Sequence, residues 1–294
     1  MLYLKSFSLA SADDEDGFVL SYPYQLEMQC YSHENVYPFK LFPQKGLREL
    51  TFAPVTMLCG GNGSGKSTVL NVIAEKLGLE HSSPFNDTPY MGDYLSFCRY
   101  ELAPRVRRIP DGSRKITSDD VFDFLLDLRA INEGVDRRRE ELFREYEQTR
   151  EDPMVPLRSL ADLEDLKRRN EAKNKTKSVY VSKRLPKELN GRSNGESAFG
   201  FFTERITENA LYLLDEPENS LSAKLQGELV RFITDSVRFF NCQFIISTHS
   251  PFLLSMREAK IYDLDACPVC ERKWTELSNV RAYYELFLER ESEF

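Results

Sequence analysis

Cysteine is scarce in this chain of 294 residues, with six thiols, and tryptophan occurs once. The thiols, at Cys30, Cys59, Cys98, Cys242, Cys267 and Cys270, are too few and too scattered for a disulfide framework, so a reducing compartment, the cytoplasm, is expected. No apolar run reaches the ~18 residues of a membrane span, and no membrane insertion is expected. The first residues lack a basic stretch leading into an apolar core, so no secretory signal is read. Positive charge is in deficit, 39 Lys and Arg against 47 Asp and Glu, a net charge of -8. That weighs against a chain wrapped in nucleic acid, but it does not exclude a local basic face.

The texture changes twice along the chain. Residues 1–118 read as β-rich, with apolar runs at 2–9, 22–28, 47–52 and 55–59, and then one helix ending by Gly78. Residues 119–190 read as an inserted helical subdomain or arm. Within it, 24 of the 45 residues 133–177 are charged, leaving only thin stripes at Leu142 and Tyr146 and at Leu160, Leu163 and Leu166. Asp119 and Asp120 read as the N-terminal cap of its first helix. Residues 191–294 return to α/β texture, with short apolar runs at 211–214, 243–247 and 260–264, a periodic segment at 221–240 and a final helix near 280–290. The two ends read as parts of one sheet, so one domain spanning 1–294 is expected, with the charged arm inserted into it.

The segment Gly60-Gly61-Asn62-Gly63-Ser64-Gly65-Lys66-Ser67-Thr68 sits between the apolar run 55–59 and an amphipathic helix. Glycines at this spacing let successive backbone N–H groups face inward as an anion nest, and the following helix adds its own unpaired N–H groups and positive dipole end. Lys66 is expected to reach the β- and γ-phosphates of a nucleotide, Ser67 to hold Mg²⁺ and Thr68 to meet the α-phosphate.

The run 211–214 ends in Asp215 and Glu216. Parallel sheets gather ligands at the carboxyl ends of their strands, so Asp215 is a candidate Mg²⁺ ligand, direct or through water. Glu216 is the candidate base that polarises the attacking water. The run 243–247 likewise leads into Thr248 and His249, and His249 is the candidate sensor of the γ-phosphate. His33 and His81 fall in polar segments without such context.

Taken together, the phosphate loop, Leu214-Asp215-Glu216-Pro217 and Ser247-Thr248-His249-Ser250 resemble the Walker A, Walker B and switch-histidine elements of the ATP-binding-cassette superfamily. Within it the chain is similar to the non-transporter SMC and RecF-type heads and the stand-alone bacterial ATPases related to them. The resemblance implies an α/β P-loop NTPase with a mixed-sheet core, which hydrolyses ATP to ADP and phosphate and takes ATP and Mg²⁺ as cofactors. It also implies an ATP-dependent homodimer. Ser193-Asn194-Gly195-Glu196-Ser197, which begins 22 residues before Asp215, is similar to the family's signature loop, so Ser193 and Gly195 would contact the nucleotide of the opposite copy. Asn219-Ser220-Leu221-Ser222 corresponds to the loop joining the two copies. DNA repair or anti-phage defence, with a nuclease or nucleic-acid partner, is the implied setting.

A transporter's nucleotide-binding subunit is the alternative, and a structural ATP-binding scaffold a third. Transporters carry a glutamine after the first core sheet, and residues 79–115 contain none. Asn194 also stands where the family commonly has glycine. Residues 99–115 hold Arg99, Arg105, Arg107, Arg108, Arg114 and Lys115, read as a solvated basic loop able to touch phosphates. Cys267 and Cys270 are two residues apart, but no second pair follows to complete a zinc site, so both read as ordinary thiols.

Overall fold

The computed structural model describes residues 1–21, 36–82, 88–151, 176–182, 184 and 194–293. It separates into two compact units, Met1–Phe122 with Asn194–Phe294, and Asp123–Ser193.

In the first unit, β3 (Val55–Cys59), β6 (Leu211–Asp215) and β7 (Gln243–Ser247) are almost wholly buried, as continuous apolar runs in a parallel sheet must be. With β5 (Arg114–Thr117), β8 (Lys260–Asp263) and β9 (Cys270–Glu271) they form a six-stranded sheet in the order β5-β6-β7-β3-β8-β9. All pairs are parallel except β8 with β9. The register aligns Thr117 with Asp215, Asp215 with Ser247, and Cys59 with Asp263, so the strand ends that carry polar side chains lie along one edge. Strands from both ends of the chain interleave here, as expected.

The expectation of one sheet fails for the remaining strands. β1 (Leu4–Ser8), β2 (Glu49–Thr51) and β4 (Arg99–Leu102) form a separate antiparallel sheet in the order β2-β1-β4. Gln243 ties the two sheets together from a fully buried position. Its Oε1 accepts from the backbone N–H groups of Tyr3 at 2.7 Å and Leu4 at 2.9 Å, and its Nε2 donates to the Leu4 carbonyl at 2.9 Å. The run 22–28 lies outside the described residues.

The basic stretch 99–115 is not a loop throughout, because it supplies β4 and β5. Lys115 is buried and donates to Asn71. Arg114 pairs with Glu80 at 3.2 Å and Arg108 with Asp111 at 3.1 Å.

The helices begin and end where local chemistry allows. α1 (Ala12–Ser21) opens with a reciprocal cap in which the Asp14 N–H donates to Ser11 Oγ and Asp14 Oδ2 accepts from the Ser11 N–H. α2 (Lys66–Leu77) buries Val69, Leu70, Val72 and Ile73 and ends at Gly78. α3 (Met91–Phe97) precedes β4, and α4 (Ser118–Glu151) follows β5 directly. Of the two residues expected to cap α4, Asp120 takes part, paired with Thr117. Thr117 is the cap, with Thr117 Oγ1 accepting from the Asp120 N–H at 3.2 Å and Asp120 Oδ2 accepting from the Thr117 N–H at 2.7 Å.

The second unit takes most of α4 together with α5 (Lys177–Ser182). Its thin stripe works as expected for contact with a single neighbour: Leu142 and Tyr146 bury against Tyr180 and Val181, the two tyrosine rings lying 5.3 Å apart. Charged residues beside this stripe pair along the helix, as Arg138 does with Glu141 at 2.8 Å. Leu160, Leu163 and Leu166 lie outside the described residues.

Back in the first unit, α6 (Asn194–Arg205) leads to β6, α7 (Ala223–Phe239) begins at its Ser222 cap, α8 (Pro251–Leu254) follows β7, and α9 (Ser278–Glu289) closes the chain. Among the described residues no helix is long and apolar enough to cross a membrane.

Candidate functional site

The site is built on the polar edge of the six-stranded sheet. β3 ends at Cys59, and the chain turns through the glycine loop into α2, whose cap is Gly65 at φ 98° and ψ 9°. That conformation strains any side chain with a Cβ, and a Cβ here would also meet Leu41 and Phe42 at 3.4 Å. Burial of α2 against the sheet therefore sets where the first helical N–H groups point.

Lys66 is 4% exposed and donates to the carbonyls of Gly60 at 2.9 Å and Gly61 at 3.2 Å. Its Nζ lies 3.8 Å from Glu216 Oε1. Ser67 Oγ donates to Asp215 Oδ1 at 3.1 Å, and Ser247 Oγ donates to the same oxygen. A hydroxyl beside a carboxylate is a hard oxygen donor pair of the kind that suits Mg²⁺. Thr68 Oγ1 accepts from the Tyr37 hydroxyl at 3.1 Å.

Glu216 departs from strand geometry, with φ 49° and ψ 53°, a left-handed conformation uncommon outside glycine. The turn swings its carboxylate toward two neighbours. Oε2 accepts from Asn219 Nδ2 at 2.9 Å, and Oε1 lies 3.3 Å from His249 Nε2, ion-pair distance without hydrogen-bond alignment. Lys66, Ser67, Asp215, Glu216 and His249, predicted from three separate stretches, are thus brought together.

The signature segment is only partly described, because Ser193 lies outside the described residues. Gly195 stands in the first turn of α6, where a Cβ would come within 2.7 Å of Leu225 Cδ1 and 3.9 Å of the Ser220 carbonyl. It therefore packs beside the Asn219–Ser222 segment. His33 also lies outside the described residues, while His81 Nε2 sits 2.9 Å from Glu75 Oε1. Cys59 is buried, which pushes its thiol up to about 11, and Cys267 and Cys270 carry free thiols.

Two residues were not anticipated. Asp265 Oδ2 accepts from the Gly61 N–H at 2.7 Å and so anchors the phosphate loop from beyond β8. Glu218 is buried, and its Oε1 accepts from Thr248 Oγ1 at 2.7 Å, the His249 N–H at 2.6 Å and the Ser250 N–H at 3.1 Å. Burial raises its carboxyl pKa, an effect opposed by the hydrogen bonds it accepts. The sequence hint for Glu218 was its place two residues beyond Glu216.

Residues 192–254, from the signature segment through the histidine, match the model of the AAA ATPase domain family. The expected ATPase is borne out. The strand–loop–helix at residues 55–77 and the parallel strand order likewise place this ATPase in the α/β P-loop NTPase class. No curated protein matches its sequence. Among solved structures it is similar to an SMC head domain from Thermotoga maritima, at 15% identity over 92% of this chain and 98% of that one, with a TM-score of 0.40. An SMC head with an extended coiled coil, from Pyrococcus furiosus, aligns at 15% identity over 99% of this chain and 100% of that one, with a TM-score of 0.43. A dimeric ATP-binding cassette bound to ADP and Pi aligns at 16% identity over 78% and 90% of the two chains, with a TM-score of 0.38.

Proposed function

We propose that this ATPase is a nucleotide-dependent switch in which two copies close over two ATP molecules and separate when ATP becomes ADP and phosphate. One observation carries the reading: Glu216 Oε1 lies 3.8 Å from Lys66 Nζ and 3.3 Å from His249 Nε2, on the edge of the sheet where the phosphate loop begins.

In this reading the N–H groups of the glycine loop and Lys66 bind the phosphates, with Thr68 at the α-phosphate. Ser67 and Asp215 would hold Mg²⁺, whose chemistry is to neutralise charge on the β- and γ-phosphate oxygens. Glu216 accepts the proton of the water whose oxygen attacks the γ-phosphorus, while the bond to the ADP oxygen breaks. Asn219 fixes the outward oxygen of Glu216, which leaves the other turned toward Lys66 and His249. His249 orients the γ-phosphate and the water. Ser193 and Gly195 of the second copy complete the site, and loss of the γ-phosphate removes what bridges the copies.

The setting, a nuclease or nucleic-acid partner in repair or phage defence, is proposed from the resemblance alone. The basic stretch adds little support, since Arg108, Arg114 and Lys115 are engaged within the chain. The deciding experiment measures phosphate release with ATP and Mg²⁺ for the wild type, Lys66→Ala and Glu216→Gln, together with mass by light scattering. Turnover lost in both variants, with an ATP-dependent dimer for Glu216→Gln, is expected. A monomer at every ATP concentration would overturn the switch.

A further inference from the structure

Successive backbone N–H groups turned inward make a concavity that binds an anion. In this chain Thr248, His249 and Ser250 turn two N–H groups and a hydroxyl onto one oxygen of Glu218, at 2.6 to 3.1 Å. Such charge-assisted bonds are roughly twice as strong as neutral ones. Glu218 is 8% exposed, and its second carboxylate oxygen is buried with no hydrogen-bond partner among the described residues.

An arrangement with a half-satisfied buried carboxylate is not the cheapest way to finish a strand. Nor is it needed to start α8, because Ser250 Oγ already accepts from the N–H groups of Phe252 and Leu253 at 3.1 and 3.3 Å. What Glu218 does hold is the backbone of His249, from one side. Asn279 Nδ2 holds the His249 carbonyl from the other, at 3.2 Å. Asn219, the next residue after Glu218, binds the carboxylate of Glu216. One helical turn, Pro217–Ser220, therefore fixes both the candidate base and the backbone of the histidine facing it.

We propose that Glu218 is a positioning residue for ATP hydrolysis: its buried carboxylate fixes the Thr248–Ser250 backbone so that the His249 imidazole stays beside Glu216. It touches neither nucleotide nor water itself. The inference rests on the ATPase reading, and its test is arranged so that the two fail separately.

The full-length Glu218→Ala and Glu218→Gln variants are compared with the wild type in two measurements. Amide hydrogen exchange by NMR, without nucleotide, reads the His249 and Ser250 N–H groups against those of α2. Steady-state turnover reads kcat and the KM for MgATP separately. Loss of the anchor exposes two N–H groups, so exchange at His249 and Ser250 is expected to rise at least about tenfold in Glu218→Ala while α2 is unchanged. A misplaced histidine is expected to lower kcat by about 10²-fold with KM within about twofold, and Glu218→Gln, which keeps one acceptor oxygen, recovers most of the loss. Unchanged exchange at His249 overturns the anchor. Faster exchange with kcat unchanged overturns the positioning role, as does a rise in KM equal to the fall in kcat. A wild type without turnover sinks the ATPase reading instead, and the exchange measurement still decides whether Glu218 holds the histidine.

Discussion

Ser67 Oγ donates to Asp215 Oδ1 at 3.1 Å, joining the first turn of α2 to the end of β6 across the polar edge of the sheet. The same carboxylate oxygen accepts from Ser247 Oγ at the end of β7. Three elements far apart in sequence thus converge on one oxygen. Asp215→Asn keeps the size of the side chain and removes its charge. It is expected to raise the Mg²⁺ concentration for half-maximal turnover by at least about 10–100-fold, the loss typical when a partner of a metal ligand is removed. Turnover titrated with Mg²⁺ at saturating ATP checks this, and an unchanged midpoint would take Asp215 out of the metal site.

Glu216→Gln removes the proton acceptor but retains an oxygen and a donor within reach of Asn219, Lys66 and His249. Hydrolysis is expected to slow by about 10²–10⁴-fold, the usual contribution of a general base. Nucleotide binding is expected to persist. Single-turnover phosphate release and fluorescent-ATP titration on the same preparation separate the two effects, and a weakened affinity with normal turnover would contradict the assignment.

The phosphate loop, β6 and β7 were legible because each is a local pattern, an apolar run ending in a few polar residues with fixed spacing. The partition into two sheets was not. The link between the two sheets is Gln243, which reads in the sequence as an ordinary strand residue and accepts from Tyr3 and Leu4 at the far end of the chain. β5 was hidden because its Arg114 and Lys115 look solvated, whereas Lys115 is buried against Asn71 and Arg114 faces Glu80. Asp265 and Glu218 were missed for a related reason. Each earns its role through partners about 30 to 200 residues away, on Thr248 and Gly61, and no single-sequence spacing encodes such pairings.

Gly65 offers a test of the loop that does not depend on turnover. Alanine there must adopt φ 98° and bring its Cβ to 3.4 Å from Leu41 and Phe42. A left-handed conformation alone costs roughly 1–2 kcal/mol, so Gly65→Ala is expected to lower the stability by about that much or to shift the loop. Either response weakens ATP binding, because the N–H groups of the first helical turn move with the cap. Thermal melting with and without nucleotide checks it: a lower melting point and a smaller nucleotide-induced rise are expected, and an unchanged pair would show that the loop tolerates a side chain at this position.

Glu15 is expected to give the fold a pH dependence of its own. It is buried on α1, and Oε2 accepts from the Lys40 N–H at 2.6 Å. Burial is the main cause that lifts its carboxyl from 4.5 to about 7, the Lys40 bond opposing it. Between those two values the folded chain binds more protons than the unfolded one, so this group's contribution to stability falls as the pH rises through the window. At 1.36 kcal/mol per unit, the loss by pH 8 is of order 3 kcal/mol. Glu15→Gln carries no charge at any pH and keeps an acceptor for Lys40. It is therefore expected to melt near the wild type at pH 5 and several degrees above it at pH 8. Melting curves of both proteins at pH 5, 6, 7 and 8 measure the difference, and a gap that stays constant across the series would mean that Glu15 does not titrate in the folded state.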